Sequence, residues 1–423
     1  MEPPRPRRRE LSCIERWAEA HRAELVVFIV LPISWWIWLF RTIKRKCSAP
    51  KASAHAERVR DVCAAVAANA ASSDVSGAPL LMRTDRSVYE SLSTRNSDKT
   101  QVNQVPLRAL HAILGLDDDG VLHCEPGVTV GEATRFLLAR KRMLECTLEM
   151  EDATLGGLAM AQGMTTHSHV CGLLHETVVE WELVLGDGRN VTVRRDNEHA
   201  DLFDALPLSH GSIGLLVGIK IRTTPSKPWV RLTYTPVKGD IAAAFGDAMR
   251  RGRESNGAGG DGASEAPFFV EGIAFARDEA VVMTGVLADA PTAAAPANRI
   301  GYWFKPWFYK HVESVNTASR AGTLVAPLVE SIPILDYLMR HDRSMCMTMG
   351  TVIPYGNHPL FRLGLGWMLP PQMSFLKASH TPETRDAAIF EQVRVLVSLI
   401  DVAPRAPAAP RWVAARRERR VRA

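Results

Sequence analysis

No CxxC pair occurs among the seven cysteines of this 423-residue chain. Cys13, Cys47, Cys63, Cys124, Cys146, Cys171 and Cys346 are odd in number and scattered. That pattern argues against a disulfide framework and a thiolate zinc site, so no metal is expected, and it suits a reducing compartment. Each reads as a small buried apolar residue. There is no internal repeat, which excludes a solenoid or propeller. Nor does a Rossmann fingerprint, G-x-G-x-x-G between a predicted strand and a predicted helix, occur. The middle of the chain also lacks basic charge. Residues 1–60 carry 13 Lys/Arg against 6 Asp/Glu and residues 401–423 carry 7 Arg against 2 acids, so within a total of +5 the stretch 61–400 is −7. Nucleic-acid binding needs a basic patch on the folded part, and none is expected here. Aromatics make up 7% of a chain that is 46% hydrophobic and 23% charged, values that suit two packed globular domains.

Long apolar runs are scarce, and the first stands out. Leu25 to Phe40, LVVFIVLPISWWIWLF, is sixteen residues without a charge. Arg5, Arg7, Arg8, Arg9 and Arg22 precede it; Arg41, Lys44, Arg45 and Lys46 follow. A spanning helix needs about 20 apolar residues, and the stems of Arg22 and Arg41 could extend this one by snorkelling. Trp35, Trp36 and Trp38 suit an interface belt. No small-residue cleavage site follows, which argues against a signal peptide. A basic segment (1–24) and a membrane anchor (25–47), spanning or re-entrant, are therefore expected, with membrane lipid as a partner. Both flanks are basic, so charge does not fix orientation; the reducing cysteine pattern favours a folded part that faces the cytosol.

After a polar linker at 48–56, Ala54 to Ala71 predicts a helix with Val59, Val62 and Val66 on one face. Strands are expected at 79–82, 101–105, 121–124, 128–130, 178–185, 190–193 and 215–222, with a helix at 130–140. A second region from Pro225 predicts strands at 230–235, 268–275 and 279–285, a helix at 241–250, low-complexity loops at 254–267 and 288–298, and an aromatic run at 302–309. Pro404 to Ala423 reads as a disordered basic tail.

Thr154 to Thr166, TLGGLAMAQGMTT, holds the chemistry-bearing glycines Gly156, Gly157 and Gly163. Glycine lets backbone approach a ligand and turn N–H groups toward a diphosphate; a tight turn before a buried helix is the plainer reading. The order around it adds weight: Glu125-Pro126-Gly127-Val128-Thr129 upstream, then Ser168-His169-Val170-Cys171-Gly172-Leu173, Val178 to Leu185 with Gly186-Asp187-Gly188, Asp201-Leu202-Phe203, and Gly211-Ser212-Ile213-Gly214. This string resembles the PCMH-type FAD-binding domain of the vanillyl-alcohol-oxidase kind. The family's Gly-rich first phosphate loop, often with a flavin-linked His, would fall at 82–95. Here it reads MRTDRSVYESLSTR, with neither Gly nor His, so the FAD is expected to be non-covalent.

FKPWFYKHVES at 304–314, FVEGIAFARDEAVVMTG at 269–285 and IPYGNHPLFRLGLGWMLPPQMSFLK at 353–377 narrow the likeness. With the N-terminal anchor, they resemble the delta-24-sterol reductase family. The resemblance implies an α+β chain: a membrane helix, a two-subdomain FAD-binding domain (54–226) and an α+β substrate or cap domain (227–400) before the tail (401–423). Trp303, Phe304, Trp307 and Phe308 would wall a core or a sterol pocket. Family members continue well past Lys377 with other sequence, so an incomplete cap domain is expected.

The implied reaction is NADPH-driven reduction of a sterol side-chain double bond at the endoplasmic reticulum membrane, through a single-pass anchor. The flavin segment is Thr154, Leu155, Gly156, Gly157, Leu158, Ala159, Met160, Ala161, Gln162, Gly163, Met164, Thr165 and Thr166. An unactivated alkene needs a proton before hydride, and Glu271, Lys305 and His311 are the candidate acids. A sterol and possible homo-oligomeric copies are the expected partners. An oxidase of a soluble alcohol or lactone, or a non-catalytic membrane scaffold on the same fold, are the alternatives.

Overall fold

The computed structural model describes residues 13, 17, 20–48, 50–71, 81–85, 102–161, 163–255, 266–324, 327–344 and 349–369. Most of the expected first phosphate loop, Gln162, most of the 254–267 insert and the basic tail lie outside the described residues.

The apolar run forms one helical rod. Arg22–Leu25 passes into a π-turn, Val26–Val30, and then into α1, Leu31–Cys47. The widened turn sits where Pro32 lacks an N–H and its ring crowds the carbonyl a turn earlier. Val26, Val27, Val30, Leu31 and Ser34 are buried along one stripe, whereas Phe28, Ile29, Ile33, Trp36 and Phe40 are exposed on the other. The rod from Ala23 to Arg45 is long and apolar enough to cross a membrane by length and composition.

α2, His55–Ala70, packs Val59, Val62 and Val66 against Val105, Leu110, Val184 and Val217. It lies beside a parallel pair, β1 (Met82–Thr84) and β2 (Asn103–Val105). The first large sheet follows, with β3 (Ile113–Leu116), β4 (Val121–Cys124), β5 (Arg142–Leu144), β6 (Val178–Val184), β7 (Asn190–Val193) and β8 (Leu215–Pro225). Its order is β3-β4-β8-β6-β7, with β5 also on β8, and every pairing is antiparallel. α3 (Val130–Leu138) and α4 (Leu155–Met160) bury Val130, Leu137, Leu155 and Ala159 in the same core as Leu122, Trp181 and Ile219. The strand expected at 128–130 does not form. Thr129 makes a single bridge to Thr154, and its hydroxyl is used instead to cap α3, in a reciprocal box with Glu132.

The chain crosses to a second sheet between Pro225 and Trp229. β9 (Trp229–Lys238), β10 (Phe269–Ala276), β11 (Glu279–Ala288) and β12 (Leu328–Pro333) form an antiparallel sheet ordered β10-β11-β9-β12. α5 (Ile241–Ser255) covers one face at Val270 and Val282. α6 (Phe308–Arg320) and α7 (Ile334–Leu338) cover the other, over Leu232, Tyr234, Phe269, Met283 and Ile332. The buried stripe of the N-terminal rod joins this second core.

A buried ionic knot fixes α2 to the first sheet. Glu125, fully buried, accepts from Arg58 at 2.6 Å, His55 Nδ1 at 2.8 Å and the Ala112 N–H at 2.6 Å; His55 Nε2 reaches Glu182 at 2.8 Å. Burial alone would lower the His55 pKa, but the two carboxylates outweigh it and raise it to about 9. The charged imidazole therefore adds stability that is complete below the unfolded value and is lost as pH rises through about 9. His55→Gln should cost roughly 2 kcal/mol near neutral pH, allowing for partial solvation. Chemical denaturation across pH checks this: the deficit should shrink as the solution turns alkaline, and a deficit that does not change with pH contradicts the charged pairing.

Candidate flavin site and the domain junction

The Thr154–Thr166 segment begins as the short helix α4 despite its paired glycines. Several of its amides are already bonded inside the fold. Leu155 N–H donates to Val128 O at 2.9 Å, Gly156 N–H to Pro126 O at 3.0 Å and Leu158 N–H to Thr154 O at 3.0 Å. Leu155, Ala159 and Met160 face the core. Gly156 is packed shut, since a Cβ there would lie 2.3 Å from Pro126 Cβ. Gly157 differs: it is exposed, its N–H has no backbone partner among the described residues, and an added Cβ would meet only Thr154 Oγ1, at 2.9 Å. One open glycine amide beside a threonine hydroxyl suits a phosphate oxygen, so the expectation of a whole segment of free amides narrows to this point.

Beyond Ala161 the segment turns toward the second sheet. Gly163 O accepts from Leu174 N–H at 2.8 Å, and Met164 is exposed. Thr165 N–H is bonded to Ser168 Oγ at 2.8 Å, and its hydroxyl donates to Glu149 at 3.2 Å. Thr166 O accepts from Val270 N–H of the edge strand β10 at 2.8 Å. His167 stacks flat on Phe268, with ring centroids 3.8 Å apart. The end of the glycine segment is thus stitched to the edge of the other domain's sheet.

A buried ionic cluster occupies that seam. Arg340, just after α7, donates to Glu149 at 3.0 Å and, through Nε, to Glu271 on β10 at 2.8 Å; its side chain is 1% exposed. His341 Nε2 lies 2.6 Å from the other Glu271 oxygen, and its Nδ1 is buried without a partner among the described residues. Tyr337 OH reaches Thr166 Oγ1 at 3.4 Å. Burial would raise the Glu271 pKa, but Arg340 and His341 pull it down to about 2. Glu271 is therefore a fixed anion and an acceptor, which is not the state of a proton donor. Nearby, burial and the charges of Glu151 and Asp152 push Asp342 up to about 7, against the Glu151 N–H that its carboxylate accepts at 3.1 Å.

The other two candidate acids stand apart from this seam. His311 on α6 pairs with Glu330 of β12 at 2.9 Å, across Tyr234, on the same face of the sheet as Glu271 but at its opposite edge. Lys305 lies in the turn before α6, partly exposed. Sequence reasoning missed Arg340, His341 and Asp342. The available signal was a run of four ionisable residues, Arg340 to Arg343, directly after Pro333–Met339, which carries one charge, Asp336. Elsewhere, an open depression of about 490 Å³ lines the β6–β7 end with Arg189, Asn190, Thr192 and His199, and uses none of the residues above.

A family profile described as an FAD binding domain matches residues 50–194. The Delta(24)-sterol reductase of Pisum sativum is 32% identical over 94% of this chain and 69% of its own length. That of Arabidopsis thaliana is 34% identical over 86% and 64%, and that of Homo sapiens 33% over 91% and 70%. The chain therefore spans about two thirds of the length of these relatives. It is an α+β flavoprotein-type chain with an FAD-binding domain, and it belongs to the Delta(24)-sterol reductase family of oxidoreductases.

Proposed function

We propose that this chain reduces the delta-24 side-chain double bond of a sterol, using non-covalent FAD and NADPH as reductant, at the endoplasmic reticulum membrane with its catalytic part toward the cytosol. Residues 54–226 would hold the flavin and residues 227–400 the sterol. The observation that carries the reading is the seam itself. The last residues of the flavin segment, Thr165 and Thr166, meet a buried Glu271–Arg340–His341 cluster brought by the other domain.

Gly157 and Thr154 would hold the FAD, and bound FAD supplies the hydride chemistry. The chain's own residues handle the proton and the exclusion of water. Ionised Glu271 fixes His341 Nε2 toward itself. Nδ1 is then the ring atom left to hold or pass a proton, in a site that Phe308 and Tyr337 keep dry. Glu271 is thus a positioning residue, Arg340 locks its second oxygen, and His341 takes over the donor role first expected of Glu271, Lys305 or His311.

One spectral series tests the function. The purified full chain should absorb near about 450 nm, bleach with NADPH under nitrogen and recolour on adding a delta-24 sterol. Colour that NADPH leaves untouched would defeat the reading. For the residue roles, Glu271→Gln should lower turnover about a hundredfold at unchanged flavin content, with a displaced pH profile. Parental turnover in that variant would remove the pair from the mechanism.

A further inference from the structure

We infer that the chain inserts into one leaflet of a membrane through a two-part apolar face, of which the N-terminal rod is one half and the second domain supplies the other. This rests on the reading of the rod as a membrane element. Its orientation follows from what it touches. Val26, Val27, Val30 and Leu31 are buried in the second domain's core, Trp35 meets Trp367 edge-on at 5.1 Å, and Arg45 binds the Glu132 carboxylate and, at 3.0 Å, Gly127 O of the first domain. From Val26 to Arg45 is roughly 29 Å of helix at about 1.5 Å per residue. A helix held to the body near both ends and at Trp35 between them lies in the plane of the interface and does not cross it.

The exposed stripe of the rod does not stop at the rod. Trp367 belongs to the turn after α8, Pro359–Leu365, and α8 exposes Leu360 (74%) and Leu363 (64%). Gly366 in that turn lies against Trp303, whose carbonyl would be 2.9 Å from a Cβ there, and Tyr302, Trp303 and Phe304 are all exposed. The contacts Trp35–Trp367 and Gly366–Trp303 make the rod, α8 and the Tyr302–Phe304 turn neighbours, each with exposed apolar side chains. Folded proteins do not leave such a surface to water without a partner. The indole N–H of Trp367 is bonded to Gly364 O at 2.9 Å, so the ring enters an apolar phase with no unpaired donor. Continuity with the apolar rod selects lipid as the occupant, and the face puts the second domain, where the sterol is proposed to bind, directly on the membrane.

The test uses the full chain and phosphatidylcholine vesicles with brominated acyl chains, which quench only tryptophans in contact with them. The emission lost on Trp367→Phe should be bromine-quenchable in the parent, as should that lost on Trp36→Phe. Leu360→Glu with Leu363→Glu should weaken vesicle partition about a hundredfold, since each change removes a buried leucine and adds a charge, at unchanged flavin content. Quenching of Trp36 without Trp367 would overturn this inference and leave the membrane reading of the rod standing. Quenching of neither would overturn both. Unchanged partition with a loss of self-association in the sedimentation velocity of the double variant would assign the patch to a second copy of the chain and overturn the lipid assignment.

Discussion

Gly157→Val should yield a folded protein that no longer carries flavin, whereas Gly156→Val should yield little folded protein at all. The two positions are adjacent in one short helix, so propensity cannot separate them; their surroundings do. At Gly156 the added carbon would lie 2.3 Å from Pro126 Cβ, 2.8 Å from its Cα and 2.9 Å from its carbonyl oxygen, and the Gly156 N–H is committed to that same carbonyl. Backbone on both sides has no room to give, and overpacking of this kind costs several kcal/mol once a hydrogen bond goes with it. At Gly157 the one close atom is the Thr154 hydroxyl, at 2.9 Å, a side-chain atom and not backbone, and the residue faces outward. A valine there fills the space above the exposed amide where a phosphate oxygen would sit. Purified Gly157→Val should keep the parent's far-ultraviolet dichroism and lose its absorbance near about 450 nm. It should melt earlier only by the binding energy of the missing ligand, an amount that added FAD does not restore. A yellow, fully loaded Gly157→Val would move the diphosphate away from this turn.

That contrast also marks what the sequence could and could not convey. The elements of both sheets were legible wherever apolar alternation was strong, as in β6, β8, β9, β10 and β11. β3, β5 and β12 were not, because each is short and takes its register from a neighbour: β5 is three residues held on the far end of β8, and β12 is six residues laid along β9. The glycine segment was visible as a special backbone, but nothing in its composition distinguished Gly156, wedged under Pro126, from the open Gly157. The apolar run was plain as a helix long and apolar enough for a membrane. Its in-plane course was not, because the run is apolar on both faces and only tertiary contact decides which face the protein keeps. The seam residues were the hardest. Glu149, Glu271 and Arg340 are far apart in sequence, and each alone is an ordinary surface charge; only the meeting of two domains turns them into one cluster.

Arg340→Met should destabilise the protein by about 3–5 kcal/mol, because it strips a buried shared cation from two carboxylates only 13–14% exposed and keeps nothing in exchange. Glu271 would be left with His341 alone, and Glu149 with the Thr165 hydroxyl. The methionine matches the volume of the guanidinium stem, so packing changes little and the loss is electrostatic. The melting temperature should fall by roughly 5–10 °C, and hydrogen exchange should rise first at Thr166 and along β10, where the domains are stitched. A second variant keeps the argument open to refutation. Arg340→Met with Glu149→Gln and Glu271→Gln removes the charges as well as their partner, and buried ion clusters replaced whole are often neutral or better for stability. The triple variant should therefore recover much of the melting temperature while staying catalytically poor, since Glu271 no longer fixes His341 as an anion. A triple variant no more stable than Arg340→Met would mean that the cluster is a packing element and that its charges carry no weight; a single variant that melts with the parent would mean that the seam is not closed by Arg340 at all.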